Sequence, residues 1–421
     1  MIFLLISILA ITLYLALKKP TYTVIFYIVA STKFLGFFDM GLFVIGGVDL
    51  GFFSINIIIL LSAFFSKQWY KIDKFILPMV LTIVVLILYG VVNPYIKGYE
   101  SFQQALIASK SFLYFSIFFY MFGRRKEIDI YIIIKYLKLL GIYLAIILII
   151  SLFVYFAPPF YLESYIGYKD YVRIYFPTYI SLALFLFYVK WQKKMISSKK
   201  MIFIFLILFS GLIIAGHFSL TVSTLFSLGF IYFIWHKKVS INWYLFIKKT
   251  IYLFILIGII LSSSQKLRIF TVDSIELIVS GADVALSSRD RYNKFRWDTI
   301  EKNPYLGYGF IHKNAQIMKN FETLDTNKFM EKLGVIDSGY VDLLIRFGYI
   351  GMFFYLVVFG SYITTVLTQK KPLVYSLSMA AFLFQYYFMN YTWSVFSFTH
   401  GIIPMSLAFF ILFNSERRLL E

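Results

Sequence analysis

The 421-residue chain has no cysteine, which excludes disulfides, thiol nucleophiles and cysteine-ligated metals. Charge is scarce: 14% of residues are Asp, Glu, Lys or Arg, against about 25% in soluble domains. Acidic residues are the scarcer kind, 21 against 40 Lys and Arg, for a formal net charge of +19. No GxxxxGK[ST] phosphate loop, HExxH helix, Asp-x-Asp pair or cluster of metal ligands occurs in the sequence. Those gaps remove recognisable ATP hydrolysis and metal-bridged nucleotide-sugar binding.

What fills the chain is apolar: 60% hydrophobic residues, with a mean hydropathy of +0.80. A soluble fold has no place for that much Ile, Leu and Phe, whereas lipid removes the conflict. Spanning a bilayer takes about 20 mostly apolar residues. Such runs lie near 2–17, 21–38, 51–66, 75–92, 101–122, 130–157, 173–190, 200–215, 218–235, 249–263, 345–368, 373–391 and 398–414. The first has no basic stretch before it and reads as a retained span rather than a signal peptide. The chain is therefore expected to be an all-α polytopic integral membrane protein with about 12–14 transmembrane helices.

Basic residues sit in alternate connections: Lys18–Lys19, Lys67/Lys71/Lys74, Arg124–Arg125–Lys126, Lys190/Lys193/Lys194, Lys237–Lys238 with Lys248–Lys249, Lys370–Lys371 and Arg417–Arg418. The positive-inside rule places these in the cytoplasm and explains the excess charge without nucleic acid. The intervening connections, near 39–51, 93–100, 158–171 and Gly216, are expected outside. Three units follow: N-terminal transmembrane helices over 1–263, a large extracytoplasmic loop over 264–344, and C-terminal helices with a short cytoplasmic tail over 345–421. From Lys266 to Arg346 there are 12 basic and 11 acidic residues. A loop of that length is usually functional or disordered, and aromatic residues at helical spacing predict a partly helical one.

That loop holds the most informative residues. Ser287 and Asp290 suit a helix N-terminus, and Asn303-Pro304 suits its end. Arg289, Tyr292, Asn293 and Arg296 would share one face, which is either a solvated charged surface or a phosphate-gripping one. Leu306-Gly307-Tyr308-Gly309 allows a tight turn or a close backbone approach. Asp337, in Asp337-Ser-Gly-Tyr340, is either a helix cap or a general base at the membrane edge. Arg173 stands at the outer start of a span, where interfacial snorkelling also accounts for it. Lys110 falls near the middle of the 101–122 run, with Gln103 a heptad earlier. A cation at that depth is a functional candidate or an ion-pair partner. His217, His312 and His400 map to the outer side, with His312 the candidate of most interest.

Arg289 or Arg291, Trp297, Asn303-Pro304-Tyr-Leu-Gly307-Tyr-Gly309, Asp337-Ser-Gly-Tyr340 and Gly348-Tyr-Ile-Gly351 together resemble the O-antigen polymerase and O-antigen ligase superfamily. The resemblance covers about residues 287–355, with a weaker echo at Arg173…Pro177. It implies an enzyme at the outer face of the bacterial plasma membrane that takes glycan from an undecaprenyl-diphosphate carrier, without nucleotide sugar, cofactor or metal. On that basis Arg173, Arg289, Arg291 and Arg296 would hold the diphosphate. Asp337 or His312 would be the base, and Lys110, Trp297, Asn303, Gly307, Gly309 and Tyr340 would line the substrate site. Ligases carry His where this chain has Asp337, and Ser223-Thr224 stands where the family often has Ser-Arg. The Asp-Ser-x-Tyr form is closer to polymerases of O-antigen, capsule or exopolysaccharide repeat units, with a chain-length regulator as a possible partner. A ligase that moves finished glycan to an acceptor is the alternative within this chemistry. A flippase for lipid-linked sugars is the alternative outside it, disfavoured by one late charged loop and no repeated halves.

Overall fold

The computed structural model describes residues 2–32, 44–45, 48–66, 76–151, 164–166, 172–174, 176–235, 296–311, 339–368, 373–391, 393–396 and 398–417. Their helices are α1 (Ile2–Lys18), α2 (Pro20–Ser31), α3 (Leu50–Phe64), α4 (Leu77–Ile96), α5 (Phe102–Ala108), α6 (Ser116–Gly123), α7 (Ile130–Ser151), α8 (Thr178–Gln192), α9 (Ser198–Ile214) and α10 (Phe218–Trp235). They continue with α11 (296–302), α12 (Gly339–Thr368), α13 (Val374–Met389) and α14 (Thr399–Arg417). Two short antiparallel ribbons accompany them, β1 (Val44–Ile45) with β2 (Val48–Asp49) and β3 (Ser164–Ile166) with β4 (Val172–Ile174).

The chain is a helical polytopic membrane protein. Among the described residues, α4, α7 and the Gly339–Thr364 stretch of α12 are long and apolar enough to cross a bilayer. The bent pair on either side of Ser109 would make a fourth, and shorter apolar helices surround them. The expected run at 249–263 lies outside the described residues.

Burial sorts the helices physically. Thr178 to Leu186 of α8 and Gly401 to Asn414 of α14 are buried throughout, so these helices form the middle of the bundle. On α1, Phe3, Ile6 and Tyr14 are exposed, as are Leu81 and Leu88 on α4. Apolar side chains on an outward face are what a lipid-facing helix presents.

Small residues bring helices close where no hydrophobic gain from lipid exists. A Cβ on Gly141 of α7 would meet the Tyr179 carbonyl of α8 at 2.7 Å, and one on Gly211 of α9 would meet Ala145 of α7. Polar side chains then join helices. Ser181 of α8 donates to Gln385 Oε1 at 2.8 Å, and Gln385 Nε2 donates to Thr224 of α10 at 2.7 Å. Thr224 is one of the two residues standing where the family often has Ser-Arg. Here its hydroxyl serves a helix junction. In the first half, Tyr27 and Ser116 both donate to Asn56 Oδ1 at 2.6 Å, tying α2 and α6 to α3.

Two expected spans are corrected. The 101–122 run is not one helix: α5 stops at Ala108, a 3₁₀ segment covers Lys110–Phe115, and the two halves meet at 56°. Ser109 Oγ donates to the Leu106 carbonyl at 2.8 Å, a local bond that competes with continued helix. Lys110 therefore sits at a break and is exposed, not held in the middle of a continuous span. The 173–190 run likewise begins as helix only at Thr178, after Pro177 with its helical φ of −68°. Arg173 belongs to β4, opposite Tyr165.

The Gln385 junction yields a first prediction. Gln385→Leu removes these bonds together with the longer one from Nε2 to the Leu220 carbonyl at 3.4 Å, and leaves Ser181 and Thr224 without the amide, so stability falls by about 1–2 kcal/mol. Thermal unfolding of the purified protein in detergent should show a lowered midpoint; an unchanged one would mean that the junction contributes nothing.

Candidate functional site

The loop motif builds a turn that docks on two helices. α11 ends at Asn303, whose side-chain amide donates to the Gly307 carbonyl, and Asn93 of α4 donates to the same oxygen at 3.2 Å. Tyr89 of α4 donates to the Leu306 carbonyl at 2.6 Å. The Phe310 amide donates to the Gly90 carbonyl at 2.6 Å, and the Phe310 ring occupies the space a Gly90 side chain would need.

Against α12 the turn does something more specific. α12 is interrupted at Gly348, with φ +61 and ψ −172. An unbroken helix would bond the amides of Tyr349 and Ile350 to the carbonyls of Ile345 and Arg346. Instead Tyr308 and Gly309 donate to those two carbonyls, at 2.7 and 2.8 Å. The freed amides of Tyr349 and Ile350 donate to the carbonyls of Pro304 and Tyr305, at 2.8 and 3.2 Å. Two donors and two acceptors released by the break are matched one for one by the loop, as a buried backbone requires. Gly307, with φ +66, and Gly348 lie backbone to backbone; a Cβ on Gly307 would be 2.6 Å from the Gly348 nitrogen, and one on Gly348 would strike the Tyr305 carbonyl. Asn303, Gly307 and Gly309, expected at a substrate surface, are thus engaged in holding this junction.

Around it is a small apolar cluster of Ile300, Tyr308, Val341, Leu344 and Ile345, with Tyr99 against Tyr308 at 5.5 Å between ring centroids. The Tyr308 hydroxyl donates to the Thr299 carbonyl at 3.1 Å. Burial, helped by the neighbouring Tyr99 phenol, pushes the Tyr308 phenol above its ordinary range.

Arg296 opens the described part of α11 and is buried, 6% exposed, while Arg289, Tyr292 and Asn293, expected on the same face, lie outside the described residues. Glu100, after α4, is buried too. Trp297 is 41% exposed beside it. Tyr340 donates its hydroxyl to the Tyr387 carbonyl at 2.6 Å. The Asn390 carbonyl accepts from the amides of Gly339 and Tyr340, which satisfies the first donors of α12. Arg289, Arg291, His312 and Asp337 lie outside the described residues, as does the side chain of Arg173. The motif therefore brings together Arg296, Trp297, Asn303, Gly307, Gly309 and Tyr340 at one end of the bundle.

Two features there escaped the sequence reading. One is the ion pair of Asp342 and Arg346 on α12, at 2.7 Å; its i, i+4 spacing at the mouth of an apolar run is the signal that could have found it. The other is a stack in which Trp393 lies between His217 and His400, at centroid distances of 4.7 and 4.5 Å. It joins the α9–α10 turn to α14, and nothing in their sequence spacing announces it.

The architecture and this polar end define a polytopic membrane protein whose charged chemistry is concentrated around one late loop. Residues 203–356 match the family model described as O-antigen ligase, consistent with the O-antigen polymerase and ligase superfamily that the motif resembles. No curated protein matches the chain. The matched segment runs from α9 through the Gly348 break, so it contains both sides of the junction. It supports an O-antigen polymerase or ligase in general, a glycosyltransferase-like enzyme acting on lipid-linked glycan in a membrane.

Gly307→Ala and Gly348→Ala should each cost about 2–5 kcal/mol, from the left-handed backbone and the overlap together. Gly229→Ala is the control, because a Cβ there meets open space. Detergent unfolding midpoints that fall equally little in all three variants would refute the backbone junction.

Proposed function

We propose that this protein is a polymerase of undecaprenyl-diphosphate-linked oligosaccharide repeat units at the outer face of the bacterial plasma membrane. The observation that carries the reading is Arg296, a guanidinium drawn inside the protein on the helix that the junction fixes, within the segment matched by the family. In a site for a lipid diphosphate this guanidinium supplies a preorganised cation where negative charge grows as the carrier departs.

The reaction needs no separate activation. The acceptor sugar hydroxyl attacks the anomeric carbon of the donor, and the bond from that carbon to the carrier's phosphate oxygen breaks. The electron pair leaves on the diphosphate, and the hydroxyl proton passes to a base, Asp337 or His312. Arg173, Arg289, Arg291 and Arg296 stabilise the leaving group. Lys110, Trp297 and Tyr340 are assigned to the substrate, Trp297 through its half-exposed ring. Neither metal nor cofactor is required, and a chain-length regulator is the partner such a polymerase would meet.

One observation favours a second reading: the matched family model is that of the ligase. A ligase would transfer finished glycan to an acceptor by the same bond changes.

Arg296→Ala should lower glycan transfer about 10²–10³-fold, and Arg296→Lys should restore only part, because an ammonium lacks the planar fork. Surface glycan resolved by gel is the readout. Full-length polymer after joint removal of Arg173, Arg289 and Arg296 would end the phosphate-clamp account. Deleting the protein separates the two readings: single repeats on the acceptor mark a lost polymerase, and unattached polymer marks a lost ligase. Assembly in washed membranes is expected to continue in EDTA; its loss would contradict a metal-free transfer.

A further inference from the structure

We propose that Arg346, held in place by Asp342, is a further anion-binding residue for the phosphates of the lipid-linked donor. The proposal rests on the function inferred above and adds a residue that the clamp of loop arginines does not contain.

The guanidinium of Arg346 is fixed from two sides. Its Nε donates to Asp342 Oδ1 at 2.7 Å, and its central carbon lies 5.5 Å from the centroid of the Phe310 ring. Its backbone is fixed as well, since the Arg346 carbonyl accepts from Gly309. An arginine that is immobile in the free protein loses little freedom when a ligand arrives.

The pair is not self-sufficient. A guanidinium has five N–H donors, and a structural Arg–carboxylate pair commonly uses two of them in parallel on both carboxylate oxygens. Here the contact is single. Among the described residues Asp342 Oδ2 is fully buried without a hydrogen-bond partner, and Arg346 donates to Asp342 alone. The Asp342 side chain is fully buried, whereas that of Arg346 is 13% exposed. The terminal nitrogens of Arg346 thus retain four donors, about two helical turns from the start of α12 at Gly339. A half-satisfied buried network is unfavourable unless something completes it. Phosphate oxygens complete a guanidinium bidentately, and the carboxylate on Nε leaves the terminal nitrogens free for that geometry. Asp342 is accordingly a positioning residue, acting through Arg346.

The same chemistry is offered by two phosphate sources, the diphosphate of the donor and the headgroup of an ordinary phospholipid, so the test separates them. Purified full-length protein in detergent is titrated calorimetrically with farnesyl diphosphate, with farnesol and with phosphatidylglycerol. The wild type is expected to bind farnesyl diphosphate saturably and at least tenfold more tightly than the other two. Arg346→Gln should weaken that binding at least tenfold, Arg346→Lys by less, and Asp342→Asn several-fold, with farnesol uptake unchanged in all three. Arg346→Lys retains the charge that Asp342 needs, so it reports even if the glutamine variant does not fold. Wild-type affinity for farnesyl diphosphate in Arg346→Lys, or in a folded Arg346→Gln, would make the pair structural and overturn the proposal while leaving the function reading intact. Equal affinity for phosphatidylglycerol would make it a headgroup site and also overturn it. A wild-type protein that does not distinguish farnesyl diphosphate from farnesol would remove the function reading and the proposal together.

Discussion

A transmembrane helix can be broken only where something else takes up the hydrogen bonds the break sets free, because lipid offers none. At Gly348 the backbone turns out of the helix, and two carbonyls and two amides are released. The loop from Pro304 to Gly309 supplies two carbonyls and two amides at matching heights. Each such bond contributes only about 0.5–1.5 kcal/mol net in water, but leaving the four groups unpaired at the membrane edge would cost several kcal/mol apiece. The break in α12 and the glycine turn are therefore one structure, since neither could exist in this place without the other.

This constraint positions the chemistry. Because Gly309 and Phe310 are also bonded to Arg346 and Gly90, the turn locks α4 to α12, and α11 extends from it as a short rigid arm. Arg296 lies at the start of the described part of that arm, so the backbone bonds of the junction, about two helical turns away, help to set its depth. Phe310, pinned by its amide, puts its ring under the Arg346 guanidinium. A family motif that looks like a glycine-rich ligand loop is here a joint, and the residues it serves are charged ones before and after it. Binding sites built on rigid elements hold their geometry better than sites on free loops. That is the advantage of using Gly307, Gly309 and Gly348 for close backbone packing.

What could be read from the sequence follows from which interactions are local. The membrane class was legible because hydropathy is a sum over neighbours, and α4, α7 and α12 carry it plainly. The end of α11 at Asn303-Pro304 and the turn at Gly307 were legible because proline and glycine act within a few residues. The partner of that turn was not: Gly348 lies some forty residues on, and nothing in Gly-Tyr-Ile-Gly says that a helix breaks there to receive another backbone. Lys110 misled for a related reason. A window that scores apolarity does not register that Ser109 turns its hydroxyl to Leu106, a local bond that accompanies the bend at which Lys110 sits. Asp342 and Arg346 stood four apart in full view, but a pair at that spacing is commonplace on helices. Only burial of the carboxylate gives it meaning.

Burial also explains why polarity accumulates at one end of this bundle. Along the inner length of α8, α13 and α14, polar groups are few, and Gln385, Ser181 and Thr224 satisfy one another across helices. Toward the end marked by Arg296 and Asn390 the accounting becomes incomplete. Asp342 Oδ2, both amide atoms of Asn390 and Nε2 of His400 are buried without partners among the described residues. Stability alone would select against such groups, since apolar replacements of similar shape are often neutral or better. Such groups also occur away from this end, at Ser227 and Ser376, so what sets the junction apart is the kind of group: a buried carboxylate held singly against a guanidinium, an arrangement met more often at functional sites than in cores.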